Sequence, residues 1–271
     1  MKHQLNDIDI HIATGGRKFD SAGEVVIMLH GSGQNHLTWV LQSRYFAYRG
    51  FAVLAPDFPG HGLSGGSPLE SIEAMAAWVI ELMDSLDVKQ AMLVGHSQGC
   101  LVTLEAAARN PKRVKRVALI AGAMAIPVSQ ELLDMSDKAL AKAISAMISW
   151  GHGPMAHMYD NTQPGHSFIG YGQRLMALND NDALRADLYA CNIYKNGPDA
   201  AKSITQPALC ILAENDRMTP VKFGREMATT LNNAEMTIIA EAGHMLPAEH
   251  PAEVNAALRS FFNHPDHRAV L

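Results

Sequence analysis

The sequence predicts an α/β protein with a mostly parallel sheet and helices on both faces. Three observations carry that expectation. Several short apolar runs rich in Val, Ile or Leu stop at Gly, Asp or Ser; helical patterns lie between most of them; and one long stretch shows helical periodicity alone. A parallel strand covered by helices on both sides has no polar face, so it reads as an unbroken apolar run.

The N-terminal "DIDIHIAT" alternates strictly and is expected as an antiparallel strand at the sheet edge. "EVVIMLHG" (24–31) and "FAVLAPD" (51–57) are buried strands, followed by helices over about 37–49 and 70–86. "AMLVGHS" (91–97) leads into a helix over about 98–110, which Asn110-Pro111 closes because a residue before proline avoids the α region. "VKRVALIAG" (114–122), "PALCILAEND" (207–216) and "AEMTIIAEAG" (234–243) complete the runs. The helix over about 220–231 should open with Thr219 as N-cap and Pro220 at its first position. The last helix covers about 248–262.

Residues 123 to about 205 break the rhythm. Leu133, Leu140, Ile144, Met147 and Ile148 share one helix face, and Leu184, Leu188 and Cys191 share another. Gly and Pro punctuate the stretch between. An insertion this short is small for a core of its own, so residues 123–205 are expected as a helical cap on a core domain of 1–122 and 206–271.

With 271 residues, 48% of them hydrophobic, the chain can build one large core. Its net charge of −5 argues against a nucleic-acid or anionic-membrane partner. The opening "MKHQLNDIDIHIATGG" has no unbroken apolar stretch and reads as neither signal peptide nor membrane helix. Cys100, Cys191 and Cys210 lack close spacing and are expected as reduced, buried thiols of a cytoplasmic protein. His152, His157 and His166 have no ligand spacing, and "GSGQN" lacks the third glycine of a dinucleotide loop, so neither metal nor cofactor is expected. Oligomeric state leaves no sign in the sequence.

"LVGHSQGCL" (93–101) sets Ser97 between two glycines, after an apolar strand and before a helix. A serine on so tight a turn is pushed into a strained conformation with its hydroxyl exposed. Serine needs a base, and the base an acid that fixes its tautomer. Asp216 and His244 follow in that order, each just past a strand, at the same sheet edge as Ser97. Separately, the three could be a Gly-rich turn, a helix-capping carboxylate and a loop histidine. Together, at three strand ends, they point to nucleophilic catalysis. The oxyanion donors would be the backbone N–H of Gln98 and that of Ser32, or of Gly33 if the register is off by one. Glu214 lies within its strand, and His250 should be at the surface. His30 and His61 are expected to bond neighbouring loops.

"LHGSG", "APDFPGHGLSGG", "LVGHSQG", "LAENDRMTP" and "EAGHMLPAEHP" run in order from about residue 24 to 262. In this the chain resembles the α/β-hydrolase fold family, in its cap-bearing branch. The resemblance implies a helical cap between the sixth and seventh strands, a Ser97–Asp216–His244 triad, Ser32 and Gln98 as oxyanion donors, and no cofactor. Serine stands where epoxide hydrolases and haloalkane dehalogenases of this fold carry aspartate. The expected activity is hydrolysis of small to medium apolar carboxylic esters, favoured over charged ones, with Met155, Met158, Phe168 and Tyr171 available in the cap. C–C bond hydrolysis, cofactor-free peroxidase or lyase chemistry, and a ligand-sensing role on the same scaffold are the alternatives.

Overall fold

The computed structural model describes residues 1–157 and 167–263, except the side chains of Met155 and His157. Those two side chains, and Met158 and His166, therefore lie outside the described residues.

The sheet has eight strands: β1 (Lys2–Leu5), β2 (Ile8–Ala13), β3 (Glu24–Leu29), β4 (Phe51–Pro56), β5 (Ala91–His96), β6 (Val114–Ile120), β7 (Ala208–Ala213) and β8 (Ala234–Ile239). Their order is β1-β2-β4-β3-β5-β6-β7-β8. β1 and β2 are antiparallel to their neighbours and the rest are parallel. The helices are α1 (Val40–Ala47), α2 (Ile72–Ser85), α3 (Gln98–Arg109), α4 (Gln130–Lys138), α5 (Leu140–Gly151), α6 (Phe168–Met176), α7 (Ala183–Ile193), α8 (Gly197–Ser203), α9 (Val221–Thr230), α10 (Leu246–Glu249) and α11 (Pro251–Asn263).

Alternation along each strand sorts the core into two layers. In β3, Val25, Ile27 and Leu29 face the cluster that holds α2, α3, α8 and Met227 of α9. Val26 and Met28 face the other, under Phe46 of α1 and Leu258 and Phe261 of α11. Helices cover both faces, which is why the strands read as solid apolar runs.

Among the described residues, five α-helices, α4 to α8, separate β6 from β7. Leu132, Ala143, Met147, Ile148, Leu175, Met176, Leu184 and Leu188 form a third apolar cluster from α4 to α7. The end of the stretch joins the main core instead, through Cys191, Tyr194, Ala200 and Ile204.

Five local expectations are corrected. A strand, β1, precedes the alternating one and takes the sheet edge, so β2 lies inside it. The apolar face from Leu133 to Ile148 spans two helices, because Ala139 leaves the helical region (φ −153°, ψ 56°). The last helix is also two, α10 and α11, parted at His250 by Pro251. α9 starts at Val221 with Pro220 at its N-cap and no side-chain cap, since the Thr219 hydroxyl is engaged elsewhere. β8 is an edge strand and is largely exposed, unlike β5 and β7.

Candidate active site

Ser97 joins β5 directly to α3, with φ 54° and ψ −117°. A non-glycine residue rarely holds positive φ, and such strain persists only where the surroundings fix it. Here Ser97 N–H donates to Ile120 O (3.0 Å), and Ser97 O accepts from Cys100 N (2.8 Å). The flanking glycines permit the turn by closeness: a Cβ on Gly95 would lie 2.1 Å from Gly99 O, and one on Gly99 2.3 Å from Leu29 O.

β7 and β8 deliver the other two residues to the same edge. Asp216 Oδ2 lies 2.8 Å from His244 Nδ1. Asp216 Oδ1 accepts from the N–H groups of Met218 and Thr219, both at 2.8 Å. Thr219 Oγ1 lies 2.8 Å from Asp216 Oδ2 and 2.9 Å from Ala121 O, and its single proton serves one of them. Burial alone would raise the Asp216 pKa; the His244 charge and the hydrogen bonds from His244 and Thr219 outweigh it, holding the carboxyl below its ordinary value. An ionised Asp216 only accepts, so His244 Nδ1 carries a proton and Nε2 is left as the basic nitrogen. The backbone of His244 is also held, by His96 Nε2–H to His244 O (2.8 Å). Burial first, then His244, push the His96 pKa down to about 3.

Ser97 and His244 open on a common cavity, also lined by Ser32, Gln34, Tyr171, Leu175 and Met245. A larger cavity of about 170 Å³ shares Ser32, Ser97, Met147 and Met218 with it and continues past Val128, Leu132, Trp150 and Leu188. Ser97 thus stands where a mostly apolar cavity meets a larger one of mixed lining. Among the described residues no hydrogen bond joins Ser97 Oγ to His244; such contacts often tighten only when substrate binds.

The two oxyanion candidates flank this junction. Gln98 is the first residue of α3, where an N–H has no partner within the helix. In the loop after β3, Gly33 N–H is taken by Asp187 Oδ2 (2.7 Å). Ser32 N–H has no acceptor among the described residues, so of the two loop candidates it is the one free to meet a ligand.

Sequence reasoning passed over what holds that loop. Asp187 on α7 accepts from both Gly33 N–H and His61 Nε2 (3.0 Å), and its backbone O accepts from Gln98 Nε2 (3.1 Å). Asn179 Nδ2 donates to Gly33 O. Burial alone would lower the His61 pKa, but the Asp187 charge and hydrogen bond raise it above its ordinary value. His30 is the opposite case: burial, then His61, push it down to about 4, and its neutral ring bonds Gly31 O and Phe58 N–H. His30 therefore bonds a neighbouring loop, as expected, whereas His61 bonds Pro59 O of its own turn and Asp187 on helix α7. Glu214 lies just past β7, exposed, and accepts from Glu241 N–H (3.1 Å), away from His244. His250 is half-buried, not at the surface, since it sits in the corner between α10 and α11. Phe168 is buried beside His152 and does not line either cavity, whereas Tyr171 does. Cys100, Cys191 and Cys210 are buried free thiols. His11, His36 and Asp57 cluster at the side of the sheet, but the Asp57 oxygens already accept from His36 and Leu63.

A strained serine on a strand–helix turn, facing a carboxylate-bound histidine across a mostly parallel sheet edge, defines a hydrolase architecture. The chain belongs to the alpha/beta hydrolase family, whose model matches residues 26–257. It is 25% identical over 236 residues to an uncharacterized hydrolase, YugF, of Bacillus subtilis, covering 78% of this chain and 80% of that one. It is 24% identical over 251 residues to the (E)-2-((N-methylformamido)methylene)succinate hydrolase of Acinetobacter baylyi, covering 88% and 90%. Its fold superposes on the enol-lactonase from Burkholderia xenovorans LB400 with a TM-score of 0.86, at 22% identity and over 97% and 100% of the two chains. Among the described residues no helix is long and apolar enough to cross a membrane.

Proposed function

We propose that this hydrolase cleaves carboxylic esters of small to medium size through Ser97, His244 and Asp216. The observation that carries this reading is the pairing of Ser97, strained at φ 54°, with an Asp216-bound His244 on one cavity. His244 Nε2 takes the Ser97 proton as Oγ attacks the ester carbonyl. The charge that develops on the carbonyl oxygen meets the N–H groups of Ser32 and Gln98. His244 then gives its proton to the leaving alcohol, and an acyl group stays on Ser97. Water, deprotonated by the same nitrogen, releases the acid. Asp216 keeps the ring in its tautomer and offsets its transient charge.

Residues 123–205 act as the cap in this reading. Met147, Ile148, Tyr171, Leu175 and Met176 give an apolar wall over the serine, which suits an apolar substrate body and strengthens the oxyanion contacts by excluding water. Three unpaired thiols suit a reducing compartment, the cytoplasm.

The test is pre-steady-state turnover of a p-nitrophenyl ester series of increasing acyl length. The expected result is a burst of one p-nitrophenol per chain followed by multiple turnover, with a chain-length optimum that moves in Met147→Lys. Absence of turnover on every ester would reject an esterase, and a single slow turnover leaving a stable adduct would identify a sensor.

A further inference from the structure

The larger cavity carries one feature that an apolar ester does not use. Arg217 lines it, and it is the one Lys or Arg lining either cavity among the described residues. No Asp or Glu lines either cavity among the described residues. Arg217 has no carboxylate partner there: the neighbouring Asp216 is committed to His244, Met218 and Thr219. The same bonds hold the turn from 216 to 219, so the stem of Arg217 leaves from a fixed point beside the imidazole. Its apolar walls include Ile126, Pro127, Val128, Leu132, Trp150 and Leu188, with Ser129 and Thr219 also at its lining. Arg217 is an exposed residue that lines this lobe, and among the described residues no anion of the protein answers it, so its guanidinium is available as a fork-shaped donor for a planar carboxylate.

We infer that Arg217 makes the larger cavity a carboxylate subsite, and that the substrate is an ester whose apolar body ends in a second, uncleaved carboxylate. The inference rests on the serine-ester reading and narrows it. The body lies against Val128, Leu132 and Leu188, the scissile carbonyl reaches Ser97, and the far carboxylate meets Arg217. This differs from the sequence-based expectation that charged esters are disfavoured. That expectation weighed the apolar faces of the insertion, whereas Arg217 comes from the loop after β7.

Two pairs of aryl esters test it. In one the charge is on the acyl side, mono-p-nitrophenyl glutarate against its terminal carboxamide. In the other it is on the leaving side, 4-acetoxybenzoate against 4-acetoxybenzamide. Wild type should favour the carboxylate member of at least one pair by about fivefold in kcat/KM, the scale of a partly exposed ion pair, and the preference should shrink in salt. In Arg217→Gln the ratio within that pair should fall to about one, and in Arg217→Glu below one, on the same ion-pair scale. Preference for the neutral member in both pairs, or a ratio that Arg217→Gln leaves unmoved, would overturn the inference. If Ser97-dependent cleavage of the neutral esters persists in that case, the esterase reading stands. If none of the four esters is cleaved, both fall.

Discussion

At Ser97 strain and reactivity are the same feature. The φ of 54° lifts the hydroxyl off the sheet edge, and the backbone bonds to Ile120 and Cys100 keep it there. A serine in that region costs about 1–3 kcal/mol, which glycine avoids because it has no Cβ. Ser97→Ala should therefore lose roughly 10⁴ to 10⁶ in turnover with unchanged circular dichroism. Ser97→Gly should be equally inactive but more stable than Ser97→Ala, by about 1 kcal/mol. Urea titration of the two variants measures the difference; a less stable glycine variant would mean that the turn is not strained. At Asp216 the sign is that of a lowered carboxyl: its stabilisation is present above the ordinary carboxylate value near 4 and is lost as pH falls through the lower folded one. Asp216→Asn should cut turnover by about 10⁴-fold, since an amide bonded to His244 reverses the tautomer. Near-normal rates in both Asp216→Asn and Asp216→Ala would assign the acid elsewhere.

Among the elements, α7 ties the insertion to the loop after β3. Asp187 holds Gly33 and the raised-pKa His61, so it sets where Ser32 N–H points. Asp187→Ala should lower kcat by between about tenfold and 10²-fold, with less effect on KM, because a displaced oxyanion donor acts mainly in the transition state. It should also cost about 3 kcal/mol of stability, as a broken buried pair does. A variant as active and as stable as wild type would remove α7 from the site. The elements differ in how readily the sequence shows them. β3 to β7 are plain because two-sided burial leaves an apolar run, and Ser97 and Asp216 are plain because each follows such a run; His244 follows β8, whose apolar letters mark a strand although it is an exposed edge. Asp187 is hidden: it sits among Leu184 and Leu188 on a helix, and its partners Gly33 and His61 are 154 and 126 positions away. Thr219 is misread for a local reason. A threonine before proline has the form of a helix cap, and only the folded chain brings Ala121 and His244 to its hydroxyl. The break at Ala139 leaves no mark either, because the apolar period runs through it.

For the whole molecule, buried histidines of opposite sign predict a stability maximum near neutral pH. His30 and His96 are pushed down to about 4 and about 3, so the unfolded chain binds protons there that the folded one refuses. Stability should fall with pH from about 6.5, the free-histidine value, towards those values. His61 is raised by Asp187, so its contribution is full below about 6.5 and is lost as pH rises through its folded value. Melting temperatures between about pH 4 and 9 should form a dome, and His61→Gln should flatten its alkaline side. A profile flat across that range would mean that neither shift exists. The activity of the molecule rests on one covalent event, the transfer of an acyl group to Ser97. The most direct measurement of it is peptide-mapping mass spectrometry after rapid acid quenching of the enzyme with a p-nitrophenyl ester. The expected result is one acyl mass per chain, on the peptide that contains Ser97 and absent from Ser97→Ala. Multiple turnover with no adduct at Ser97, or an adduct on another residue that persists in Ser97→Ala, would contradict it.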